Sequence, residues 1–466
     1  MKNIKKIILI EPKSPDRHIF GQACMPRLGL PILGTILKEK GHEVRIYCQD
    51  IKKINYSDVF SADLVGISTT TSTAPEGYLI ADKIKAHHSK IPVVIGGAHA
   101  TFLPEEALSH CDYVIRGEGE YVFPELIEAL ENHCTVRNIK GLSYTEGTVP
   151  VHNPGYPKPV SLDHLPIPDF SLVLEREKMT VTPISTSRGC PFHCSFCSVT
   201  PMFGKKYRFR NTDLVIEEIK RDKKKRIFFY DDNFTANKTR SKVLLEKMLE
   251  NNLRPEWMAQ ARVDVAKDKD LLKLMQKTNC FIVQIGFESI NPLTLKSYNK
   301  GQTVEEIEES IMILHQYKIK IHGMFMFGSD DDEIETLKQT VKFAKRLKLD
   351  TIQFLTLVPF CGTKVYSDLD AAGRIFTKNW VLYDGHHVVF EPKKMSPFEL
   401  QIETFKAMKK FYSLWRCLKS FWKGKSFTAM ARYWGNRTLK KWGKDHKPLF
   451  DQLKLFSRKL KINRKV

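Results

Sequence analysis

No apolar run in this 466-residue chain approaches the ~20 residues that a membrane-spanning helix needs. The opening MKNIKKIILIEPKSP is broken by Glu11 and Pro12 too early for a signal peptide and reads as a first β-strand. A cytoplasmic location is the expectation. Cysteine is scarce: ten in 466 residues cannot form a disulfide scaffold. Short-period repeats and low-complexity tracts are missing, and with them the solenoid and disordered classes. No G-x-G-x-x-G or P-loop follows a candidate strand, which counts against a nucleotide-binding sheet. Carboxylates are missing from one end only. From Lys406 to Val466, 19 Lys and Arg stand against Asp445 and Asp451, so +17 of the formal +21 charge lies there.

What remains is ordinary globular material, 42% hydrophobic and 27% charged, long enough for two or three domains. The fold class is α/β. Over residues 1–140, KKIILIE, EVRIYC, ADLVGIS, PVVIGG and YVIRGEG alternate with amphipathic stretches such as LGLPILGTILKEKG. That pattern predicts a doubly wound, Rossmann-like parallel sheet, which binds ligands outside its strands' carboxyl ends. A Pro-rich stretch marks 141–178 as a packed linker. From 179 to 375, VTPISTS, RIFFYDD, EWMAQA, FIVQIGF, KIHGMFMF and TIQFLTLV alternate with helical segments. Six such units predict a partial (β/α)6 TIM-type barrel with function on the loops after the strands. Residues 376–466 read as a helical, basic, aromatic extension.

Three of the ten cysteines crowd into TSRGCPFHCSFCSVT, directly after the first strand of the second alternation. Cys190, Cys194 and Cys197 have the spacing C-x3-C-x2-C, and Gly189 and Pro191 shape the turn so that three thiolates can face one cluster. Three ligands for a 4Fe-4S cluster leave one iron open to the amino and carboxylate groups of S-adenosylmethionine (SAM). Structural zinc wants four ligands, and no second cysteine or histidine pair stands nearby. Chance clustering of buried cysteines is the remaining alternative.

The spacing, the strand position and Phe196 resemble the radical SAM superfamily over about residues 180–365. The resemblance implies SAM contacts from Tyr230, Asp231 and Asp232 after the second strand. It implies further contacts from Gln260 and Arg262 after the third, and Glu288 in GFES after the fourth. GMFMFG, with Gly323 and Gly328, resembles the adenine-side motif. PFCGT stands where relatives show Pro-Gly-Thr, with Cys361 in place of the proline. A carboxylate at a strand end is as readily a helix cap or an ion pair.

The first domain resembles the cobalamin-binding domain that precedes this kind of radical SAM core. Ser68 and Thr70 in GISTTTSTAPEG, and Gly96 and Gly97 in VVIGGAHAT, are similar to segments lining the cobalamin tail. Small residues there let a bulky group slide between sheet and helix. RGEGE, with Gly117 and Glu118, resembles a loop near the corrin. Asp16, His18 and Gly21 match D-x-H-x-x-G, whose histidine ligates cobalt in the mutases. Here QACMPRLGL separates it from the helix, and a solvent-exposed loop histidine is the alternative.

Together these resemblances imply a 4Fe-4S cluster, SAM and cobalamin as cofactors, and flavodoxin or ferredoxin as external one-electron reductant. By resemblance, one SAM methylates cob(I)alamin and another yields the 5′-deoxyadenosyl radical. The expected activity is C-methylation of an unactivated carbon in a hydrophobic or lipid-like substrate. NWVLYDGHHVVFEPKKMSPFELQ resembles the tail entry of the hopanoid methylase and anaerobic Mg-protoporphyrin ester cyclase group. There His386 and His387 face the active site or serve structure. A cyclase-type rearrangement without methyl transfer is the first rival. A methylthiotransferase acting on tRNA is the second, and would need another cluster from the widely spaced Cys24, Cys48, Cys111 and Cys134. A cobalamin sensor bound to nucleic acid is the third. For the tail, residues 406–466, packing on the barrel, an anionic membrane surface, and nucleic acid all remain open.

Overall fold

The run KIILIE (β1, Lys6–Glu11) is apolar without alternation because both of its faces are covered. Ile7 and Leu9 point into one core with Leu30 and Leu37 of helix Gly29–Glu39 and Phe123 and Leu126 of helix Gly119–Glu131. Ile8 and Ile10 point into the other, with Tyr78, Ala81 and Ile84 of helix Ala74–His87. Each such side chain, fully buried, contributes about 1.5–3 kcal/mol. The computed structural model describes residues 4–13, 24–156, 158–222 and 226–463.

Around β1 stand β2 (Glu43–Cys48), β3 (Leu64–Ser68), β4 (Val93–Gly96) and β5 (Tyr113–Ile115), all parallel. Next come β6 (Leu142–Glu146) and β7 (Val149–His152), added antiparallel, for the order β2-β1-β3-β4-β5-β6-β7. The parallel part is the doubly wound sheet, and its order reverses at β1 and β3, where such sheets take ligands. The hairpin β6–β7 lies within the stretch expected as linker.

The second alternation starts with β8 (Thr182–Ile184), followed by the short antiparallel pair β9 (Ser187–Arg188) and β10 (Arg208–Phe209). Strand β11 (Arg226–Phe229) pairs with β8 in parallel. Then β12 (Glu256–Ala261), β13 (Cys280–Glu288), β14 (Lys320–Phe327) and β15 (Thr351–Thr356) pair successively, again in parallel. Helices follow the strands, and Thr303 and Glu306 close a capping box on Val304–Gln316. These six parallel β/α strands make the partial (β/α)6 barrel. Among the described residues four helices come last: Pro397–Phe411, Leu414–Trp422, Ser426–Asp445 and Lys447–Asn463. Among the described residues no helix is long and apolar enough to cross a membrane.

The chain resolves into two compact units. One includes Ala23–Pro191 and Ser198–Tyr230, the other Phe192–Cys197 and Asp231–Val466. The first strands of the barrel thus belong with the N-terminal sheet, and β12 to β15 with the C-terminal helices.

Candidate functional site

Gly189 has φ +87°, and a Cβ there would stand 3.2 Å from the Lys206 carbonyl, so the turn into the cysteine loop requires glycine. Cys190 is counted with the first unit, Cys194 and Cys197 with the second. All three are partly exposed. The segment Phe192–Cys197 is fastened at several points. The Asn299 side-chain amide donates to the His193 carbonyl at 3.1 Å. Ser195 N–H donates to Tyr298 at 3.1 Å, and Val365 N–H donates to Ser195 at 3.2 Å. Phe196 meets Tyr298 edge-on at 5.1 Å. The loop after β13 and the helix after β15 therefore set the position of Cys194 and Cys197. Among the described residues no three Cys, His, Asp or Glu side chains close on a single metal ion. Three thiol donors on one loop are the donor set of a four-iron cluster with one open iron, so the residues present fit that group.

Arg262, just past β12, connects this loop to the next strand. Its guanidinium stacks on Phe192 at 3.8 Å and reaches Cys194 Sγ at 4.0 Å. It also donates to the Lys300 carbonyl. Lys300 Nζ in turn pairs with Glu288 Oε1 at 2.8 Å. Glu288 holds the left-handed backbone, φ +62°, which for a non-glycine costs about 1–3 kcal/mol. Its carboxylate occupies the space a side chain at Gly286 would fill, 2.4 Å from the would-be Cβ. Gln260 ends β12 with its side-chain amide 3.4 Å from the Asp231 carbonyl. Asp231 is buried and Tyr230 exposed. Asp232 lies in the same turn, at the carboxyl end of β11. Gly328 follows β14 with φ +109°, and a Cβ would meet Leu400 at 2.8 Å, so packing as well as backbone demands glycine here. Its N–H donates to Asp332 at 3.0 Å, and Thr294 Oγ1 donates to the same carboxylate at 2.9 Å. Burial pushes the Asp332 pKa up to about 6 against those hydrogen bonds. Lys300 and Asp332 were not foreseen; the sequence NKGQT gave no sign that its lysine returns to Glu288.

In the first unit, Ser68 and Gly96 end β3 and β4. Gly97 has φ +99°, and a Cβ would lie 2.3 Å from the Thr69 carbonyl oxygen. Two strand-end loops are thus pressed together in a way only glycine allows. Thr70 caps the turn Thr71–Thr73, and Gly117 N–H donates to Thr101 Oγ1 at 3.0 Å. Arg27 donates to the Ser68 carbonyl at 3.1 Å and pairs with Glu11 at the end of β1 at 3.3 Å. This pair, also not foreseen, sits where the strand order reverses. The cradle of small residues fits a cobalamin tail. Glu118 turns its carboxylate elsewhere: Arg208 grips it in two bonds, Arg188 stands at 3.2 Å, and Val160 N–H donates at 2.8 Å. Burial alone would raise its pKa, yet the Arg208 hydrogen bonds and the Arg188 charge hold it below the usual carboxylate range. His18, with Asp16 and Gly21, lies outside the described residues. His387 is buried and pairs with Asp384 at 3.0 Å, beside Trp442 and His446.

A cysteine loop at the start of a parallel β/α barrel, preceded by a doubly wound sheet with glycine-lined strand ends, defines a radical SAM enzyme with a cobalamin domain. Residues 184–344 match the radical SAM superfamily and residues 22–127 the B12 binding domain. An uncharacterized methyltransferase of Pyrococcus horikoshii is 33% identical over 430 residues, 88% of this chain and 93% of that protein. Bacteriochlorophyllide d C-12(1)-methyltransferase of Chlorobaculum tepidum is 32% identical, covering 88% of each. In fold, the chain is similar to the radical SAM methyltransferase TsrM of Kitasatospora setae, solved with cobalamin and a 4Fe-4S cluster. The TM-score is 0.68 at 18% identity, over 79% of this chain and 75% of that one. The chain belongs to the cobalamin-binding radical SAM family. Its cofactors are a 4Fe-4S cluster, SAM and cobalamin, and it needs an external electron donor.

Proposed function

We propose that this chain methylates an unactivated carbon of a hydrophobic substrate, with Cys190, Cys194 and Cys197 holding the cluster. The observation that carries the reading is the fastening of Cys194 and Cys197 by the loop after β13 and the helix after β15, beside Arg262. Bound there, the cluster supplies the electron that cleaves SAM to the 5′-deoxyadenosyl radical, and cobalamin carries the methyl group. The chain's own residues position and enclose. Phe196, Tyr230, Asp231, Asp232, Gln260, Arg262, Glu288 and Gly328 line the SAM site; Ser68, Thr70, Gly96, Gly97 and Gly117 take the cobalamin, and Glu118 braces that loop. Holding the reacting groups in register is the part of the barrier a protein can remove. The bacteriochlorophyllide relative supports a hydrophobic substrate. Flavodoxin or ferredoxin serves as donor, and the basic tail rests on an anionic membrane.

Per methyl installed, one SAM leaves as 5′-deoxyadenosine and methionine and another as S-adenosylhomocysteine, with two electrons from the donor. Anaerobic reconstitution of the full chain should give about four iron per chain, with Cys194→Ala losing cluster and SAM cleavage together. Methyl-labelled SAM, incubated with an extract of hydrophobic metabolites, should yield label and both nucleoside products in equal amounts. A Cys194→Ala protein with intact cluster and SAM cleavage sinks the site assignment. Formation of 5′-deoxyadenosine with product but without S-adenosylhomocysteine sinks methyl transfer in favour of rearrangement.

A further inference from the structure

Helix Leu414–Trp422 is turned inside out. Leu414, Trp415, Leu418, Phe421 and Trp422 recur at i, i+1, i+4, i+7 and i+8, a single face. That face is the exposed one: Trp415 is 67% exposed, Phe421 69% and Trp422 86%. The opposite side, turned to the protein, carries Arg416, Cys417 and Ser420, and Cys417 Sγ donates to the Ala429 carbonyl at 3.2 Å. The next helix, Ser426–Asp445, exposes Met430, Tyr433 and Trp434. Cations border both groups. Lys419 lies over Trp415 at 4.9 Å, and Arg437 lies over Tyr433 and Trp434 at 6.0 and 5.6 Å. Lys423 and Lys425 occupy the exposed turn that joins the helices.

The partner that fits aromatic side chains bordered by cations, in a segment of net +17, is a surface both apolar and anionic. Tryptophan and tyrosine settle at the headgroup level of a bilayer, with lysine and arginine reaching phosphates. Nucleic acid would match the charge but leaves Leu414, Leu418 and Met430 without a use.

The seat of this pair of helices gives the orientation. Phe427 packs on Phe281 at 4.7 Å, and Lys320 lies over Phe281 at 4.1 Å. Thr428 Oγ1 donates to Asp350 at 3.3 Å, and Arg432 donates to the Leu349 carbonyl at 3.3 Å. Phe281, Lys320, Leu349 and Asp350 all lie at the amino-terminal ends of β13, β14 and β15. Arg262, Glu288 and Gly328 lie at the carboxyl ends of their strands. We propose that Leu414–Trp422 and the Met430–Arg437 face anchor the chain on an anionic bilayer by the end of β13–β15 opposite the SAM residues. The anchor holds the enzyme at the membrane without feeding substrate through itself. Only the orientation rests on the proposed site; lipid binding stands apart from it.

The test uses the full holoenzyme and vesicles of phosphatidylcholine with and without phosphatidylglycerol. Flotation should require the anionic lipid and weaken as salt rises. The quadruple variant Trp415→Ser, Leu418→Ser, Phe421→Ser, Trp422→Ser should lose about a hundredfold or more in vesicle binding. A charge variant, Lys419→Gln with Lys423→Gln, Lys425→Gln and Arg437→Gln, should lose the preference for anionic lipid. Because these side chains are exposed, both variants should keep wild-type SAM cleavage with dithionite, and vesicles should change that rate less than twofold. Equal flotation with neutral vesicles, or unchanged binding by the quadruple variant, overturns the proposal. So does RNA binding lost with the charges in a chain that ignores vesicles, or self-association that the serine changes abolish. Stimulation of SAM cleavage by vesicles beyond tenfold overturns the anchor-only role.

Discussion

Replacing Glu118 by Gln removes one charge from a buried set of four. Its oxygens accept from Arg208, from Arg188 at 3.2 Å and from Val160 N–H, while Arg188 also pairs with Glu120 at 2.7 Å. Side-chain exposures run from 7% for both glutamates to 14% for Arg188, so water does not take over the lost partner. Two guanidinium groups then share one carboxylate in a poorly solvated place. Removing one member of such a set costs about 3–5 kcal/mol, against about 0–1 kcal/mol for an exposed pair. For a unit of this size the loss moves the unfolding midpoint by roughly 10 °C or more. Arg188 precedes Cys190 by two residues, so hydrogen exchange at the amides of residues 187–190 should rise with it. Adding Arg208→Met to Glu118→Gln should recover much of the loss, since an apolar replacement of the pair is tolerated better than half of it. Calorimetry with exchange measured by mass spectrometry makes the comparison. A shift of only a degree or two for Glu118→Gln, with no rescue by the double change, refutes the reasoning.

Gly97→Ala places a Cβ against the Thr69 carbonyl at a φ of +99°, and strain of this kind is on the order of 1–3 kcal/mol. The two strand-end loops must separate, so the variant should purify with little cobalamin by absorbance and keep its iron; full cobalamin retention would rule out this cradle. Burial in β14 pulls His322 down to about pKa 4, with its Nδ1 3.0 Å from Thr351 Oγ1. The unfolded chain takes a proton there near pH 6.5 and the folded chain does not, so stability falls as pH drops from about 6.5 to 4. The loss is about 3 kcal/mol across that window. His322→Gln should flatten that part of a denaturation series against pH, and an unchanged slope would dismiss the histidine as its source.

The strands that carry both candidate sites were legible because each is a short apolar run bounded by Gly, Ser or Asp. Those marks survive burial on both faces, as in KIILIE and VVIG. The hairpin β6–β7 was read as linker because LSYTE and VPVH are half polar and Pro150 interrupts the second. An edge strand with one solvated side looks like a loop in one dimension. Cys190, Cys194 and Cys197 stand out in the sequence because their spacing is local. The pairing of Glu118 with Arg208 across 90 residues was not legible, nor was the return of Lys300 to Glu288. For the tail, composition gave the charge and the aromatics, while their outward direction in Leu414–Trp422 emerges only from what the helix rests on.

Arg262, Lys300 and Glu288 have to be considered as one device. Glu288 keeps a backbone conformation that its side chain opposes, so something must hold it, and the Lys300 ion pair at 2.8 Å does so. Lys300 is itself placed by the bond from Arg262 to its carbonyl. The remainder of that guanidinium faces Phe192 and stands 4.0 Å from Cys194 Sγ. Were a cluster held on that sulfur, the guanidinium would bias its potential, which follows local charge and hydrogen bonding to sulfur. The carboxylate at the end of β13 and the sulfur on the cysteine loop are therefore held by opposite ends of one chain of contacts. The consequence is non-additivity: loss of Arg262 also releases Lys300, and Glu288 relaxes with it. The three single substitutions then fail in much the same way as the triple one.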